Sequence, residues 1–156
     1  MPPNATAPIA ILMADDDADD RLLARDAIAE SRLSNPFHRV EDGQELMDYL
    51  RRKGKYRTIP APRPGIILLD LNMPRKDGRQ ALEEIKSDPD LRSIPVVILT
   101  TSKTEEDILR AYNLGANSFI TKPVTFEGLV DIVRQLDKYW FSIVELPRRD
   151  GEFVSA

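Results

Sequence analysis

The chain has 156 residues, of which 42% are hydrophobic and 31% charged, and this composition is typical of one folded domain. A formal net charge of −4 argues against a nucleic-acid binder, and the absence of cysteine excludes disulfides, thiolate metal sites and cysteine nucleophiles. No apolar run approaches the roughly 18–20 residues of a membrane-spanning helix, and residues 1–8 do not resemble a secretory signal, so we expect a cytoplasmic protein.

Short apolar segments alternate with amphipathic ones from residue 9 onward. The predicted strands are Ile9–Ala14, Phe37–Val40, Gly65–Leu69, Val96–Leu99 and Ser118–Thr121. The predicted helices are Ala18–Ser31, Gly43–Arg52, Arg79–Ser87, Thr104–Asn113 and Thr125–Tyr139. This alternation predicts an α/β fold, a doubly wound parallel sheet covered by helices on both faces.

The predicted domain organisation is simple. We expect a flexible N-terminus at residues 1–8, one folded domain at residues 9–146 and a flexible tail at residues 147–156. Residues 53–64 form a predicted loop, because its prolines cannot lie inside a helix or a central strand.

Polar side chains follow four of the predicted strands, at the points where those strands end. They are Asp15, Asp16, Asp17, Asp70, Thr100, Thr101 and Lys122. Ligands of open α/β sheets bind beyond the carboxyl ends of the strands, so these groups are expected to meet at one edge.

Carboxylates gathered at one edge repel each other unless a cation neutralises them. Mg²⁺ or Mn²⁺ fits such a set of oxygen ligands. A carboxylate can also attack phosphorus and form an aspartyl phosphate. Lys122 would then offset the charge on the phosphoryl oxygens, and the Thr100 hydroxyl would hydrogen-bond to the phosphoryl group.

The segments ILMADDD, LLDLNMPRKDG, VVILTTS and FITKP occur in this order. Together they resemble the receiver domains of two-component response regulators, over about Ile9 to Phe141. This resemblance implies a flavodoxin-like (βα)5 fold with strand order 2-1-3-4-5. It also implies a phosphorylated signalling protein and a separate sensor histidine kinase as the phosphoryl donor.

The resemblance assigns roles around the acidic edge. Asp70 resembles the phospho-acceptor, and Asp15 and Asp16 match the acidic pair, with Asp16 as the direct Mg²⁺ ligand. Asn72 lies where a backbone carbonyl binds the metal. Gly78 resembles the glycine of the loop that follows the phospho-acceptor.

Further roles fall on the fourth and fifth strands. Thr100 and Lys122 match the switch hydroxyl and the phosphate-binding lysine, and Pro123 suggests a cis Lys-Pro bond. Phe119 occupies the aromatic switch position, where tyrosine is frequent, so the switch would be transmitted by packing alone. Thr101 stands where alanine or glycine is common, and it would narrow access to Asp70.

The proline-containing insert before the third strand and the tail YWFSIVELP resemble the small regulators that are paired with phytochrome-type kinases. The tail holds more apolar residues than a helix end normally buries. We expect an interaction surface, in its simplest form a homodimer, and folding back as a terminal cap is the alternative. The residues concerned are Tyr139, Trp140, Phe141, Ile143, Val144 and Leu146.

Too few residues follow Phe141 for a DNA-binding domain, so we expect the output to be a protein contact. Only the chain's own phosphorylation and dephosphorylation are expected as chemistry. A Mg²⁺-dependent phosphohydrolase is the alternative, although Asn72 stands where its general acid would be needed. A third possibility is an adaptor protein that acts without phosphorylation of Asp70.

Asp19 and Asp20 are interpreted as solvated acids at the start of a helix, where the helix dipole favours negative charge.

Overall fold

The computed structural model describes residues 9–31, 34–101, 104–123 and 125–138, together with the backbone of residues 145–147 and 153–155. Five parallel strands form one sheet in the order β2-β1-β3-β4-β5, which confirms the predicted fold. The strands are β1 (Ile11–Ala14), β2 (Phe37–Val40), β3 (Ile66–Leu69), β4 (Val96–Thr100) and β5 (Ser118–Thr121).

Five α-helices cover this sheet within the part of the chain that the structure describes. They are α1 (Ala18–Glu30), α2 (Gly43–Arg51), α3 (Gly78–Ser87), α4 (Glu105–Asn113) and α5 (Phe126–Leu136). Thr125 was predicted as the N-cap of the last helix, and its side chain does cap α5, whereas the predicted start at Thr104 was one residue early because Thr104 caps α4 from outside the helix. In α3 the opposite holds, since Asp77 is the cap and Gly78 is already helical. None of the described helices is both long and apolar enough to cross a membrane.

The strands are continuously apolar where both faces of the sheet are covered. In β1, Ile11 lies in the cluster beneath α1 and α5, whereas Leu12 lies in the cluster beneath α2 and α3. Both side chains are fully buried, as are Ile66 and Ile67 of β3. Burial of each such side chain stabilises the fold by about 1.5–3 kcal/mol. The central strands, and the residues at their carboxyl ends, are therefore held firmly in place.

The C-terminal part of the chain contributes a second, two-stranded sheet. β6 (Glu145–Pro147) and β7 (Phe153–Ser155) pair antiparallel, a pairing that the sequence did not predict for the expected tail at 147–156. Of the six apolar residues assigned to an interaction surface, only Leu146 falls in this hairpin. The other five, at 139–141 and 143–144, lie outside the described residues.

The insert between α2 and β3 is anchored on α2 by side-chain hydrogen bonds. Lys55 Nζ and the Tyr56 hydroxyl each lie 2.7 Å from Glu45 Oε2, and the Tyr49 hydroxyl donates to the Pro62 carbonyl at 2.8 Å. Burial tends to raise the pKa of Glu45, but hydrogen bonds from Lys55, a backbone N–H and Tyr56 lower it overall. The predicted loop therefore has a defined attachment, and it includes a short 3₁₀ helix at Gly54–Arg57.

Glu45→Gln is expected to lower the free energy of unfolding by about 1 kcal/mol at neutral pH, because a charged acceptor becomes a neutral amide and Lys55 is largely exposed. The pKa of folded Glu45 lies below its ordinary value of 4.5. Its stabilisation is therefore present above that value and is lost as the pH falls through the folded pKa.

Urea unfolding at neutral pH and at acidic pH measures this difference. Glu83→Gln, the same change at an exposed site on α3, is the matched control and is expected to have little effect. Equal losses for Glu45→Gln at both pH values would contradict the ionic explanation.

Candidate functional site

The acidic edge forms because β1 and β3 are neighbours and end at the same level. Ala14 is paired with Leu69, and the Asp70 N–H donates to the Ala14 carbonyl at 3.0 Å. The carboxylates that follow the two strands are therefore adjacent. Oxygen atoms of Asp15, Asp16 and Asp70 all lie within 4.8 Å of one another.

Both carboxylate oxygens of Asp70 accept hydrogen bonds from side chains at the ends of β4 and β5. The Thr100 hydroxyl donates to Asp70 Oδ1 at 2.6 Å, and Lys122 Nζ donates to Asp70 Oδ2 at 3.1 Å. The backbone N–H of Lys122 also donates to the Thr100 carbonyl at 2.8 Å, which aligns β5 with β4. Asp70 is thus a buried carboxylate whose orientation is defined on both sides.

Lys122 contacts three carboxylates at once. Its Nζ forms ion pairs with Asp15, with Asp70 at 3.1 Å and with Asp20 at 2.8 Å, while its side chain is only 10% exposed. Burial tends to lower the pKa of Lys122, but hydrogen bonds to Asp15 and Asp20 raise it above its usual value. The amine is therefore held in its charged form.

The position of Asp20 corrects the interpretation of this residue as a solvated helix-start acid. It does lie in the first turn of α1, where the helix dipole favours an acid, but its carboxylate reaches Lys122 across the site. Asp15 and Asp20 are five residues apart and separated by the cap Asp17, so linear spacing alone did not connect them.

The three clustered carboxylates suit a hard divalent cation. Asp15 and Asp70 are buried, whereas Asp16 is exposed and would face the solvent side of a bound ion. Burial raises the pKa of Asp15 to about 6, although Lys122 and the Asp17 N–H stabilise its charged form. An oxygen donor set of this kind matches the preference of Mg²⁺, which keeps several waters and uses few carboxylates.

Asn72 lies at the start of the loop after Asp70, where its N–H is 3.3 Å from Asp70 Oδ1. The resemblance assigned its backbone carbonyl to the metal, and this role stays a prediction. The loop itself is attached to α2: Arg75, at φ 64°, binds the buried carboxylate of Asp42 with Nε at 2.9 Å and Nη2 at 2.6 Å. The sequence did not predict this ion pair, because Asp42 and Arg75 are 33 positions apart.

The remaining predicted residues lie on β5 or directly after β4 and β5. Phe119 is half-buried against the core beneath α2 and α3, and its N–H is hydrogen-bonded to the Tyr112 hydroxyl at 3.2 Å. Thr101 is exposed and lines a pocket of about 290 Å³ together with Lys122 and Pro123.

The Lys122–Pro123 peptide bond is trans, so the predicted cis bond is wrong for this structure. The trans form is the ordinary preference of an X-Pro bond, by about 0.5–1 kcal/mol. Lys122 reaches all three carboxylates from this trans backbone.

Gly78 is required by close backbone packing under Asp70. Its N–H donates to the Leu71 carbonyl at 2.8 Å. A Cβ at this position would overlap the Asp70 carbonyl oxygen and would lie 2.7 Å from Leu71 Cα. The atoms in the way are backbone, so they cannot move aside without shifting Asp70 itself.

Gly78→Ala is expected to destabilise the fold by about 2–3 kcal/mol, because the added methyl group forces the backbone at Asp70 to move. Urea unfolding measures the loss. Gly54→Ala is the control: Gly54 has φ 58°, and a Cβ there would make only ordinary van der Waals contact with the Asp48 side chain, so only backbone strain of roughly 1 kcal/mol is expected. Equal stability of Gly78→Ala and wild type would refute the packing constraint.

The chain is similar to known proteins over most of its length. Residues 11–134 match the family model described as the response regulator receiver domain. The response regulator Rcp1 of Synechocystis sp. is 38% identical over 147 residues, which cover 94% of this chain and 99% of that protein.

Two solved structures are similar over nearly the whole chain. The phosphorylated cyanobacterial phytochrome response regulator RcpA has 44% identity and a TM-score of 0.84, covering 91% of this chain and 100% of that one. The Mn²⁺-bound form of Rcp1 has 39% identity and a TM-score of 0.82, covering 90% of this chain and 100% of that one.

Proposed function

This chain belongs to the response regulator receiver domain family, and we propose that Asp70 is the residue that accepts a phosphoryl group from a sensor histidine kinase. The observation that carries the proposal is the setting of Asp70. Asp70 is a buried carboxylate at the edge of the sheet where the strands end. It accepts hydrogen bonds from Thr100 and Lys122 and is clustered with Asp15 and Asp16.

In the transfer step, one Asp70 carboxylate oxygen forms the new bond to phosphorus as the phosphorus–nitrogen bond to the donor histidine breaks. The charge on the phosphoryl oxygens is balanced by the Lys122 ammonium, which already lies 3.1 Å from Asp70 Oδ2. Asp15, Asp16 and Asp70 would hold Mg²⁺ or Mn²⁺, which neutralises negative charge on the carboxylates and the phosphoryl group. Support for a divalent ion comes from the Mn²⁺-bound relative and from the donor set.

A conformational response would begin at Thr100. Its hydroxyl now donates to Asp70 Oδ1, and a phosphoryl group on Asp70 would offer this donor a new acceptor. Movement of Thr100 leaves space for Phe119, which carries no hydroxyl and so would respond by packing alone. The surface of α4, β5 and α5 would change shape and transmit the signal to a protein partner.

The proposed partner is a kinase of the phytochrome type. The relatives RcpA and Rcp1 support this pairing, since RcpA is a phytochrome response regulator and both match nearly the whole chain. We place the reaction in the cytoplasm, where the ATP that supplies a histidine kinase is available.

Intact mass measurement with Mg²⁺ and acetyl phosphate tests the proposed acceptor. Wild type is expected to gain one phosphoryl group, because the small donor replaces the kinase phosphohistidine. Asp70→Asn is expected to gain none, and removal of Mg²⁺ with a chelator is expected to abolish the adduct on wild type. Asp48→Asn, which replaces a half-buried aspartate of α2, is the matched control and is expected to be phosphorylated normally.

Other results would identify a different function. Persistent absence of the adduct, with partner binding unchanged in Asp70→Ala, would favour the adaptor. Repeated release of phosphate from small esters would favour the phosphohydrolase.

We also propose that the apolar residues at 139–146 mediate a homodimer. Replacing both Phe141 and Leu146 with Glu is expected to convert the dimer to monomer in sedimentation equilibrium, because charge is buried poorly at the core of an interface. Ile59→Glu, at a residue of the insert that is 49% exposed, is the control and is expected to leave the assembly unchanged. A monomeric wild type would instead favour the terminal-cap alternative.

A further inference from the structure

Lys122 is shared between two kinds of carboxylate. Asp15 and Asp70 belong to the clustered group that would hold a divalent ion, and Asp20 does not. Asp20 is also the more exposed partner, with 34% of its side chain accessible, against none for Asp15 and 8% for Asp70. The ammonium therefore contacts the metal cluster on one side and a separate acid on the other.

A divalent ion in the cluster would compete with this ammonium. Lys122 Nζ contacts Asp15 Oδ2 and Asp70 Oδ2, which belong to carboxylates that the ion needs. Two cations at one pair of buried carboxylates repel strongly, because screening by water is weak there. Binding of the ion therefore requires Lys122 to loosen its contacts with these carboxylates.

The structure provides both space and a counter-ion for that movement. Lys122 and Asp20 line the same pocket of about 290 Å³, which is bordered by Thr101, Pro123 and Thr125. Asp20 Oδ2 is already 2.8 Å from the ammonium. The side chain can thus move toward Asp20 without becoming an unpaired charge at a site where it is 10% exposed.

We propose that Asp20 is a positioning residue that retains Lys122 when a divalent ion occupies Asp15 and Asp70. Its carboxylate lets the ammonium leave the metal ligands and yet stay within reach of a phosphoryl group on Asp70. The inference rests on the proposed function, because it presupposes the metal site beside Asp70.

The test is titration of the full chain with Mn²⁺ by calorimetry, without any phosphodonor. Asp20→Asn is expected to raise the Mn²⁺ dissociation constant about tenfold, the lower end of the effect typical of groups that orient metal ligands. Asp19→Asn is the matched control, since it removes the same charge from the adjacent, exposed position of α1. It is expected to change the constant by less than about twofold, as is usual for a surface charge.

Two further variants separate positioning from a structural effect. Asp20→Glu keeps the carboxylate and is expected to restore affinity to near that of wild type. In a Lys122→Met background, Asp20→Asn and Asp19→Asn are expected to have the same small effect, because there is no ammonium left to retain. Circular dichroism of each variant verifies the fold before titration.

The possible results distinguish failure of this inference from failure of the proposed metal site. Equal dissociation constants for Asp20→Asn and Asp19→Asn, or an Asp20 effect that persists without Lys122, would overturn the inference and leave the proposed phosphorylation of Asp70 intact. A wild type that does not bind Mn²⁺, or binds it equally well as Asp70→Asn, would overturn both the metal site and the inference. Asp70 phosphorylation, measured separately by mass, shows which of the two proposals has failed.

Discussion

The ammonium of Lys122 is the cation on which the arrangement of this edge of the sheet depends. Asp15, Asp20 and Asp70 are brought together by the ends of β1 and β3 and by the first turn of α1, and they would repel each other without it. Burial gives the interaction its strength, since Lys122 and two of the carboxylates are largely removed from water.

This constraint links the fold to the proposed chemistry. The parallel register sets Asp70 beside Asp15, and the short path from β5 brings Lys122 to both. Each face of the sheet packs against an apolar core. The strand ends therefore cannot shift independently to relieve the repulsion between the carboxylates. We therefore expect a change of charge at Asp70 to act on side chains such as Thr100 and Phe119 rather than on the strands.

Much of the fold could be predicted from the sequence, because buried parallel strands have an unmistakable pattern. Ile66 to Leu69 is apolar without interruption and is followed at once by Asp70, so the strand and the proposed phospho-acceptor were predicted together. The same reasoning placed Thr100 and Lys122 at this edge, where the structure brings both onto Asp70.

What could not be predicted depends on contacts between distant residues. Asp20 follows the helix cap, and only the packing of α1 shows that its carboxylate faces Lys122. The ion pair between Asp42 and Arg75 depends on how α2 packs against the loop after Asp70, and no local sequence pattern predicts that packing. The isomer of the Lys122–Pro123 bond was likewise beyond the sequence, since the two forms of an X-Pro bond differ little in energy.

The hydrogen bond between the Tyr112 phenol and the N–H of Phe119 bears on a general hazard of open sheets. β5 is an outer strand, and the unpaired backbone groups of such a strand can recruit a strand from another molecule. The phenol occupies the Phe119 donor and so removes one of the backbone groups through which this outer strand could pair with another molecule. A rearrangement of Phe119 that breaks this bond would free its N–H. A packing change inside the domain would then also make the outer strand better able to pair with another molecule.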